Sequence, residues 1–254
     1  HHYGTTGNRV VLDTRAVFDN PAELFSDDPN LGDATSKMAD EAMMGDILKS
    51  GDDEVTFKID IHASAPIERI DIRNGLETEE IFRPYAEADL GRRIRVLWEG
   101  SEYRGRGRET VWDGSAELDG NSFERLDPIN RYNIDKRFEQ TGDNRLDWAA
   151  LTTGGFGGFD AWLGGADAGT LKIDTDLIKE EIAIKDIGYD EMIFANGGID
   201  RRIRIFRLPD ENPHRALTLE RRMKLAGDRD NALYVRITQE DGHFIWSSPI
   251  YIFR

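Results

Sequence analysis

The chain has 254 residues, with 33 Lys and Arg against 49 Asp and Glu, and its net charge is −16. This charge repels nucleic-acid backbones and anionic membranes, so we expect no nucleic-acid partner. There is no cysteine, which excludes disulfides, thiolate metal sites and cysteine nucleophiles, and no run of about 18 apolar residues that would span a membrane, so a soluble protein is expected.

The first residues, "HHYGTTGNRVVL", carry two histidines and no initiator Met. This start indicates either residual tag residues or a piece of a longer protein, and we favour the second. We interpret residues 1–8 as a junction or tag-adjacent tail, in which His1 and His2 hold at most a stray metal ion. From residue 9, "RVVLDTRAVF" is rich in β-branched and aromatic residues and predicts the first strand of the domain.

A long acidic stretch follows from Asp19 to Asp53. Its content of Pro, Asn, Gly and Asp predicts a loop with at most one short helix. Three of its carboxylates, Asp27, Asp28 and Asp33, are weak candidates for a calcium site because carboxylate oxygens are the ligands that Ca²⁺ prefers. No EF-hand spacing accompanies them.

Clean alternation begins at "EVTFKIDIHA". The apolar residues Val55, Phe57, Ile59 and Ile61 are expected on one face of a half-buried strand, and the polar residues between them on the other. Asp60 and His62 lie two apart on that polar face, so they are a second weak candidate for metal ligands. With no third ligand in sight, a solvated polar face is the preferred interpretation.

Further short strands are predicted along the rest of the chain. One runs from Ile67 to Arg73 and ends at the turn pair Asn74-Gly75, and another carries Ile94, Val96 and Trp98. The remaining predicted strands are Arg145 to Leu151, Thr170 to Ile173, Ile178 to Ile184, Ile199 to Leu208, Ala216 to Leu225 and Leu233 to Thr238. Because no long helical period interrupts them, we predict a mainly β protein, an immunoglobulin-like antiparallel β-sandwich over 9–254 with long loop insertions at about 19–53 and 100–150.

The glycine-rich stretch "TTGGFGGFDAWLGGADAGT" lacks the Lys-Ser/Thr and the helix that a phosphate-binding loop needs. Its aromatic residues Phe156, Phe159 and Trp162 allow two interpretations. They form a platform for a sugar or an apolar ligand, or they pack over one end of the sandwich. Packing is the preferred interpretation because large aromatic side chains dominate protein cores.

The chain closes on "DNALYVRITQEDGHFIWSSPIYIF", which predicts a hairpin with its turn at Asp241-Gly242. Tyr234 occupies the position of a tyrosine corner in an immunoglobulin-like sandwich, with an ordinary core aromatic as the alternative. Pro249 cannot donate to a sheet ladder, so it indicates an edge strand or a bulge.

Five segments together carry a resemblance to a known family: "YGTTGNRVVL", "AMMGD", "APIERIDIRNG", "YRGRGRETVWDG" and "YVRITQEDGHFIWSSPIYI". In this order they resemble the C-terminal β-rich region of a bacterial family of PHP-like metallohydrolases, related to carbaryl hydrolases, whose function is unknown. The resemblance implies that "YGTTG" is the junction with an N-terminal PHP-like catalytic domain. That domain would be the partner of this chain and would hold the divalent metal.

The residues of this chain supply no catalytic site of their own. The five histidines do not cluster, and adjacent carboxylates such as Glu79-Glu80 point to opposite faces of a strand. We therefore expect no catalytic residue and no cofactor in this chain, and a role as a non-catalytic accessory sandwich that packs on the catalytic domain. The alternative is a β-sandwich module that binds a glycan or a protein partner.

Overall fold

The computed structural model describes residues 2–254, so His1 and its expected role lie outside the described residues. The chain forms two compact units. Unit 1 comprises residues 2–84 and 213–254, and unit 2 is Tyr85–Asn212. The chain leaves unit 1 after Pro84 and returns to it at Pro213, so unit 2 interrupts the sequence of unit 1. The sequence predicts one domain over 9–254 and does not reveal this division.

Both units are built almost entirely of strands. Unit 1 begins with β1 (Tyr3–Thr5), β2 (Val10–Phe25), β3 (Ser36–Met43), β4 (Ile47–Lys49), β5 (Glu54–Ala63), β6 (Ile67–Asn74) and β7 (Glu77–Phe82). Unit 2 contains β8 (Arg93–Ser101), β9 (Thr110–Val111), β10 (Gly114–Asp119), β11 (Phe123–Ile129), β12 (Phe138–Thr141), β13 (Arg145–Trp148), β14 (Leu151–Thr152), β15 (Phe156–Leu163), β16 (Thr170–Thr175), β17 (Lys179–Ala183), β18 (Met192–Ala195) and β19 (Ile199–Leu208). Unit 1 then resumes with β20 (Ala216–Lys224), β21 (Asn231–Gln239), β22 (Phe244–Ser247) and β23 (Ile250–Phe253). Two 3₁₀ turns, Glu87–Asp89 and Ile184–Asp186, are the helical segments of residues 2–254.

The strands of unit 1 form one sheet of 11 strands. Its main path runs β1-β22-β21-β23-β4-β2-β5-β20, with β3 on β2 and the pair β6-β7 on β21. The pairing is antiparallel except between β23 and β4. Side chains from β5, β6 and β21, including Phe57, Ile70 and Val235, share one core. The sheet therefore folds over on itself, which gives the predicted sandwich.

The alternation predicted for β5 is confirmed. Val55, Phe57, Ile59 and Ile61 are each at most 1% exposed, as the period of two requires. The next predicted strand is also found, and it ends where Gly75 takes a positive φ of 62°. These two strands could be predicted from the sequence because each buries one face of a regular ladder.

The loop predicted over about 19–53 is wrong, since three strands cross that region. The ladder between β2 and β3 shifts register between Val17 and Ala22, and Pro21 lies within this bulge, where it removes no ladder hydrogen bond. The bulge is closed by the buried Asp52 carboxylate, which accepts hydrogen bonds from the backbone N–H of Asp19 (2.9 Å) and of Asn20 (3.1 Å). The residues that indicated a loop therefore form a bulge within a long strand.

The C-terminal hairpin is confirmed, with Gly242 in the turn at a φ of 85°. Its second strand is broken at Ser248 and Pro249, so that β22 and β23 pair with successive parts of β21. The ring of Tyr234 lies under the guanidinium of Arg73, 5.8 Å away. The hydroxyl bond that defines a tyrosine corner is not among the hydrogen bonds formed by residues 2–254, and the immunoglobulin-like assignment stays a prediction.

Unit 2 is a sandwich of two five-stranded antiparallel sheets, β12-β13-β10-β16-β17 and β11-β15-β8-β19-β18. Side chains from both sheets fill its core, among them Ile94, Leu118, Leu171 and Ile205. The loop insertion predicted over about 100–150 is therefore largely wrong, because β10, β12 and β13 supply three of the five strands of one sheet and β11 is an edge strand of the other. The sequence does predict β13, within the strand from Arg145 to Leu151. The other three strands are only four to seven residues long, too short for alternation to be visible in the sequence.

Within residues 2–254, no helix has the length and apolar character needed to cross a membrane.

Candidate functional site

A cavity of about 330 Å³ lies within unit 2, at one edge of the sandwich. Strands β11 and β12 are the edge strands of the two sheets, and residues 130–137 connect them. This crossing loop lines the cavity together with the chain ends of β13, β14 and β15. The volume is at the lower end of the range for small-molecule sites.

The floor of the cavity is aromatic. Trp98 on β8 and Trp148 on β13 stack face to face, with ring centroids 5.0 Å apart and planes within 5° of each other. Phe159 packs against both rings from β15, at 6.2 Å from Trp98 and 5.7 Å from Trp148. The two tryptophans are 4% and 3% exposed. Because they come from different sheets, the stack joins the two layers of the sandwich beneath the cavity.

A hydrogen-bond network fixes this floor. The Thr152 hydroxyl accepts a bond from Trp112 Nε1 (2.9 Å) and donates one to the carbonyl of Gly100 (2.7 Å). The indole N–H of Trp148 in turn donates to the carbonyl of Trp112. Trp112 is fully buried, so each of these polar groups needs its partner.

The crossing loop is tied to the opposite wall by Asn130. This residue has a φ of 53°, a left-handed conformation that Asn tolerates better than most residues. Its Nδ2 donates to the carbonyl of Phe156 (3.1 Å), and its Oδ1 accepts from the hydroxyl of Tyr132 (3.0 Å). Tyr132 itself is 85% exposed. Asn130 therefore holds the loop over β15.

Glycines on β15 leave the indole of Trp98 open. A Cβ atom at Gly157 would lie 2.8 Å from Trp98 Nε1, and one at Gly158 would lie 2.1 Å from the carbonyl of Val96. Gly157 and Trp98 both line the cavity. The Nε1 of Trp98 forms no hydrogen bond with any atom of residues 2–254. This indole donor thus has no acceptor among the described residues and lies beside the cavity.

The charges around the cavity have one sign. Arg131, Lys136 and Arg137 line it, and none of the described lining residues is Asp, Glu or His. Arg137 is paired with Asp147 (3.2 Å). Arg131 donates to the carbonyls of Ile134 and Lys136, 2.8 and 2.7 Å away. Within the described part of the chain, neither Arg131 nor the ammonium of Lys136 has a carboxylate partner.

The structure separates the three aromatic residues for which the sequence allows either a ligand platform or packing over the sandwich end, with packing preferred. Phe156 is half-buried and lines the cavity, whereas Phe159 is fully buried beneath it. Trp162 is not part of the cavity: its ring lies between the guanidinium groups of Arg125 (4.2 Å) and Arg93 (4.9 Å). The three side chains therefore form no common platform, and one of them contributes to the cavity surface.

The candidate metal ligands do not converge. Asp27, Asp28 and Asp33 lie in the exposed turn after β2, and Asp28 Oδ1 accepts the backbone N–H of Asn30 (2.9 Å). Asp60 and His62 share a face as predicted, with Oδ1 and Nε2 3.9 Å apart. No group of three or more His, Asp or Glu suited to a metal ion occurs among residues 2–254.

A buried ion cluster lies on the other face of the β8–β15 sheet. The carboxylate of Asp160 accepts bonds from Arg95 Nε (2.7 Å) and Nη2 (2.9 Å) and from Arg93 Nε (3.1 Å). Burial alone raises the pKa of Asp160, but Arg95 and Arg93 outweigh it and hold that pKa below its ordinary value. The carboxylate is therefore charged. We interpret the cluster as a structural ion pair of the sheet and not as a group for acid–base chemistry.

Sequence reasoning missed most of the cavity. Trp98 and Trp148 fall on predicted strands, but their contact depends on how two sheets face each other. Lys136 and Arg131 fall in a region predicted as a loop. The three cations of "RYNIDKR" do not distinguish this loop, because "RGRGR" and "RRIR" hold as many within a shorter span.

Comparisons with known proteins do not assign the chain: no family model matches it, and no curated protein or solved structure matches it significantly.

Proposed function

We propose that this chain is a non-catalytic module that binds a small molecule in the cavity of unit 2. The observation that carries the proposal is the cavity of about 330 Å³ over the stacked rings of Trp98 and Trp148. An aromatic floor with a few polar groups at fixed positions is the usual composition of a ligand site. The rings stack on each other and are almost fully buried, so the floor suits an apolar group better than an extended glycan.

A binding role fits the chemistry of the lining better than a catalytic one. Hydrolysis needs a nucleophile with a base, or a metal that activates water. The described lining residues offer no carboxylate and no imidazole. Lys136 is the amine of the lining, and none of the described lining residues supplies a carboxylate or an imidazole to act with it.

We further propose that the module accompanies an N-terminal PHP-like catalytic domain of a metal-dependent hydrolase. The sequence resemblance is the basis of this part. The first and last of its segments lie together in unit 1, where β1 pairs with β22 of the C-terminal hairpin. Residues 2–254 bring together no group of three or more His, Asp or Glu suited to the metal of such an enzyme, so we assign the metal and the reaction to the catalytic domain.

Calorimetry with the neutral compound 3-phenylpropanamide tests the binding role. We expect saturable binding, which Phe156→Ala weakens about tenfold because an aromatic wall of the cavity is lost. Phe194→Ala is the matched control, since Phe194 is also a half-buried Phe of unit 2 but lies outside the cavity. Absence of saturable binding, or equal weakening by both variants, would overturn the proposal.

Metal content tests the accessory role. Plasma mass spectrometry on dialysed, tag-free protein should find less than about a tenth of an equivalent of Zn, Mn or Fe, because a catalytic metal site retains its ion. A full equivalent would place the metal site in this chain and contradict the assignment to another domain.

A further inference from the structure

We infer that the natural ligand of the cavity is a small carboxylate with an apolar, planar body, bound by Lys136 and by the indole N–H of Trp98. This inference rests on the proposed binding function and specifies its ligand class. Three independent features of the cavity support it: a cation without a carboxylate partner, an indole N–H without an acceptor and an aromatic floor.

The first feature is the charge of the lining. The chain has a net charge of −16, yet the described residues around this cavity include three cations and no acid. Lys136 is half-buried, and its ammonium has no carboxylate partner among residues 2–254. Because a partly desolvated cation is stabilised by an opposite charge, the site favours an anion.

The second feature is the donor of Trp98. This side chain is 4% exposed, and its Nε1 has no acceptor within the described residues. Gly157 keeps the space beside it open, because a Cβ there would approach Nε1 to 2.8 Å. An indole N–H is a donor only, so a ligand that satisfies it must bring an acceptor. A carboxylate brings acceptors and the negative charge in one group.

The third feature is the shape and polarity of the rest of the cavity. Phe138, Phe156, Ile129 and Leu151 line the walls above the tryptophans. These side chains contact apolar surface, and the aromatic ones favour a flat partner. The ligand is therefore amphipathic, with its acid group toward Lys136 and its apolar body against the walls.

Three phenylpropyl compounds of nearly the same size separate charge from shape: 3-phenylpropanoate, 3-phenylpropanamide and 3-phenylpropylammonium. Calorimetry at low salt should rank the carboxylate about tenfold tighter than the amide, and the ammonium weakest. The advantage of the carboxylate should shrink as salt is raised, since the partly exposed charge of Lys136 is screened.

Substitutions at Lys136 and Trp98 show which side chain causes the preference for the carboxylate over the amide. Lys136→Gln should remove most of the roughly tenfold preference for the carboxylate and leave amide binding within about twofold. Lys185→Gln is the matched control, because it removes the same charge from an exposed position of unit 2 outside the cavity. Trp98→Phe should weaken the carboxylate and the amide alike, since both place an acceptor at Nε1.

The outcomes distinguish the two proposals. If none of the three compounds binds, the binding function itself fails. If the amide binds as tightly as the carboxylate, or if Lys136→Gln acts no differently from Lys185→Gln, the cavity is a binding site but the anion inference is wrong. Tightest binding of the ammonium compound would also overturn it.

Discussion

The substitution Thr152→Val tests the hydrogen-bond network beneath the cavity. Valine has nearly the shape of threonine, but it neither accepts the bond from Trp112 Nε1 nor donates to the carbonyl of Gly100. Trp112 is fully buried, so its indole N–H is out of reach of bulk solvent. Thr152→Val therefore leaves this buried donor without an acceptor, whereas the carbonyl of Gly100 keeps the backbone N–H of Gly154 (3.1 Å).

The magnitude follows from this one donor. A buried polar group without its partner costs about 1–3 kcal/mol, and Trp112 is fully buried, so we expect Thr152→Val to lower the free energy of unfolding by about 2–3 kcal/mol. Thr152→Ser keeps the hydroxyl and loses one methyl group, which costs about 1 kcal/mol. The two variants should thus differ by about 1–2 kcal/mol, with valine the less stable.

Urea unfolding followed by tryptophan fluorescence measures this difference. Of the five tryptophans in the chain, all but Trp246 lie in unit 2, so the signal reports mainly on that unit. The slopes of the transitions must agree for the free energies to be compared. If Thr152→Val is as stable as Thr152→Ser, the network does not hold the cavity floor.

Two further substitutions test buried carboxylates. Asp160→Ala should destabilise the protein by about 3–5 kcal/mol, because it removes the anion that Arg95 and Arg93 share in the interior. Those arginines depress the pKa of Asp160, so its stabilisation is complete above the ordinary value of 3.8 and is lost as the pH falls through the lowered pKa. As the pH falls, the free energy of unfolding should therefore decrease more steeply for the parent protein than for Asp160→Ala. Equal slopes of this free energy against pH would contradict the role assigned to Asp160. Asp52→Asn should lower the free energy of unfolding in urea by about 1.5–3 kcal/mol. The reason is that the hydrogen bond from the side chain of Asn20 and two backbone hydrogen bonds favour the charged carboxylate and hold the pKa of Asp52 low. An unchanged urea midpoint would show that the β2 bulge does not need this carboxylate.

The strands that the sequence predicts well are those that bury one regular face. In β5 every second residue is apolar and buried, so periodicity alone places it. The same rule fails for β3, because most of its residues are exposed on both faces and its polar sequence has no alternation. At the β2 bulge, Pro21 and its polar neighbours indicate a loop although the chain stays in the sheet. A strand that forms mainly because it pairs with a neighbouring strand leaves no pattern in its own local sequence.

The cavity could be predicted only in part. Phe156 was a candidate from composition alone, and it does line the cavity. The stack of Trp98 on Trp148 requires the facing of two sheets whose strands are separated by some 50 residues of sequence, and no local pattern contains that information. Trp162 has the same residue type as the floor residues, but its strand alternation puts it near Arg93 and Arg125 instead.

The indole N–H resonances of ¹⁵N-labelled protein offer the most direct test that the cavity binds a ligand. The Trp98 signal is identified by its loss in Trp98→Phe, and the protein is then titrated with 3-phenylpropanamide. We expect a saturable shift of the Trp98 signal while those of Trp162 and Trp246, outside the cavity, stay in place. No shift of Trp98, or equal shifts of all five indole signals, would contradict a binding site at the Trp98–Trp148 floor.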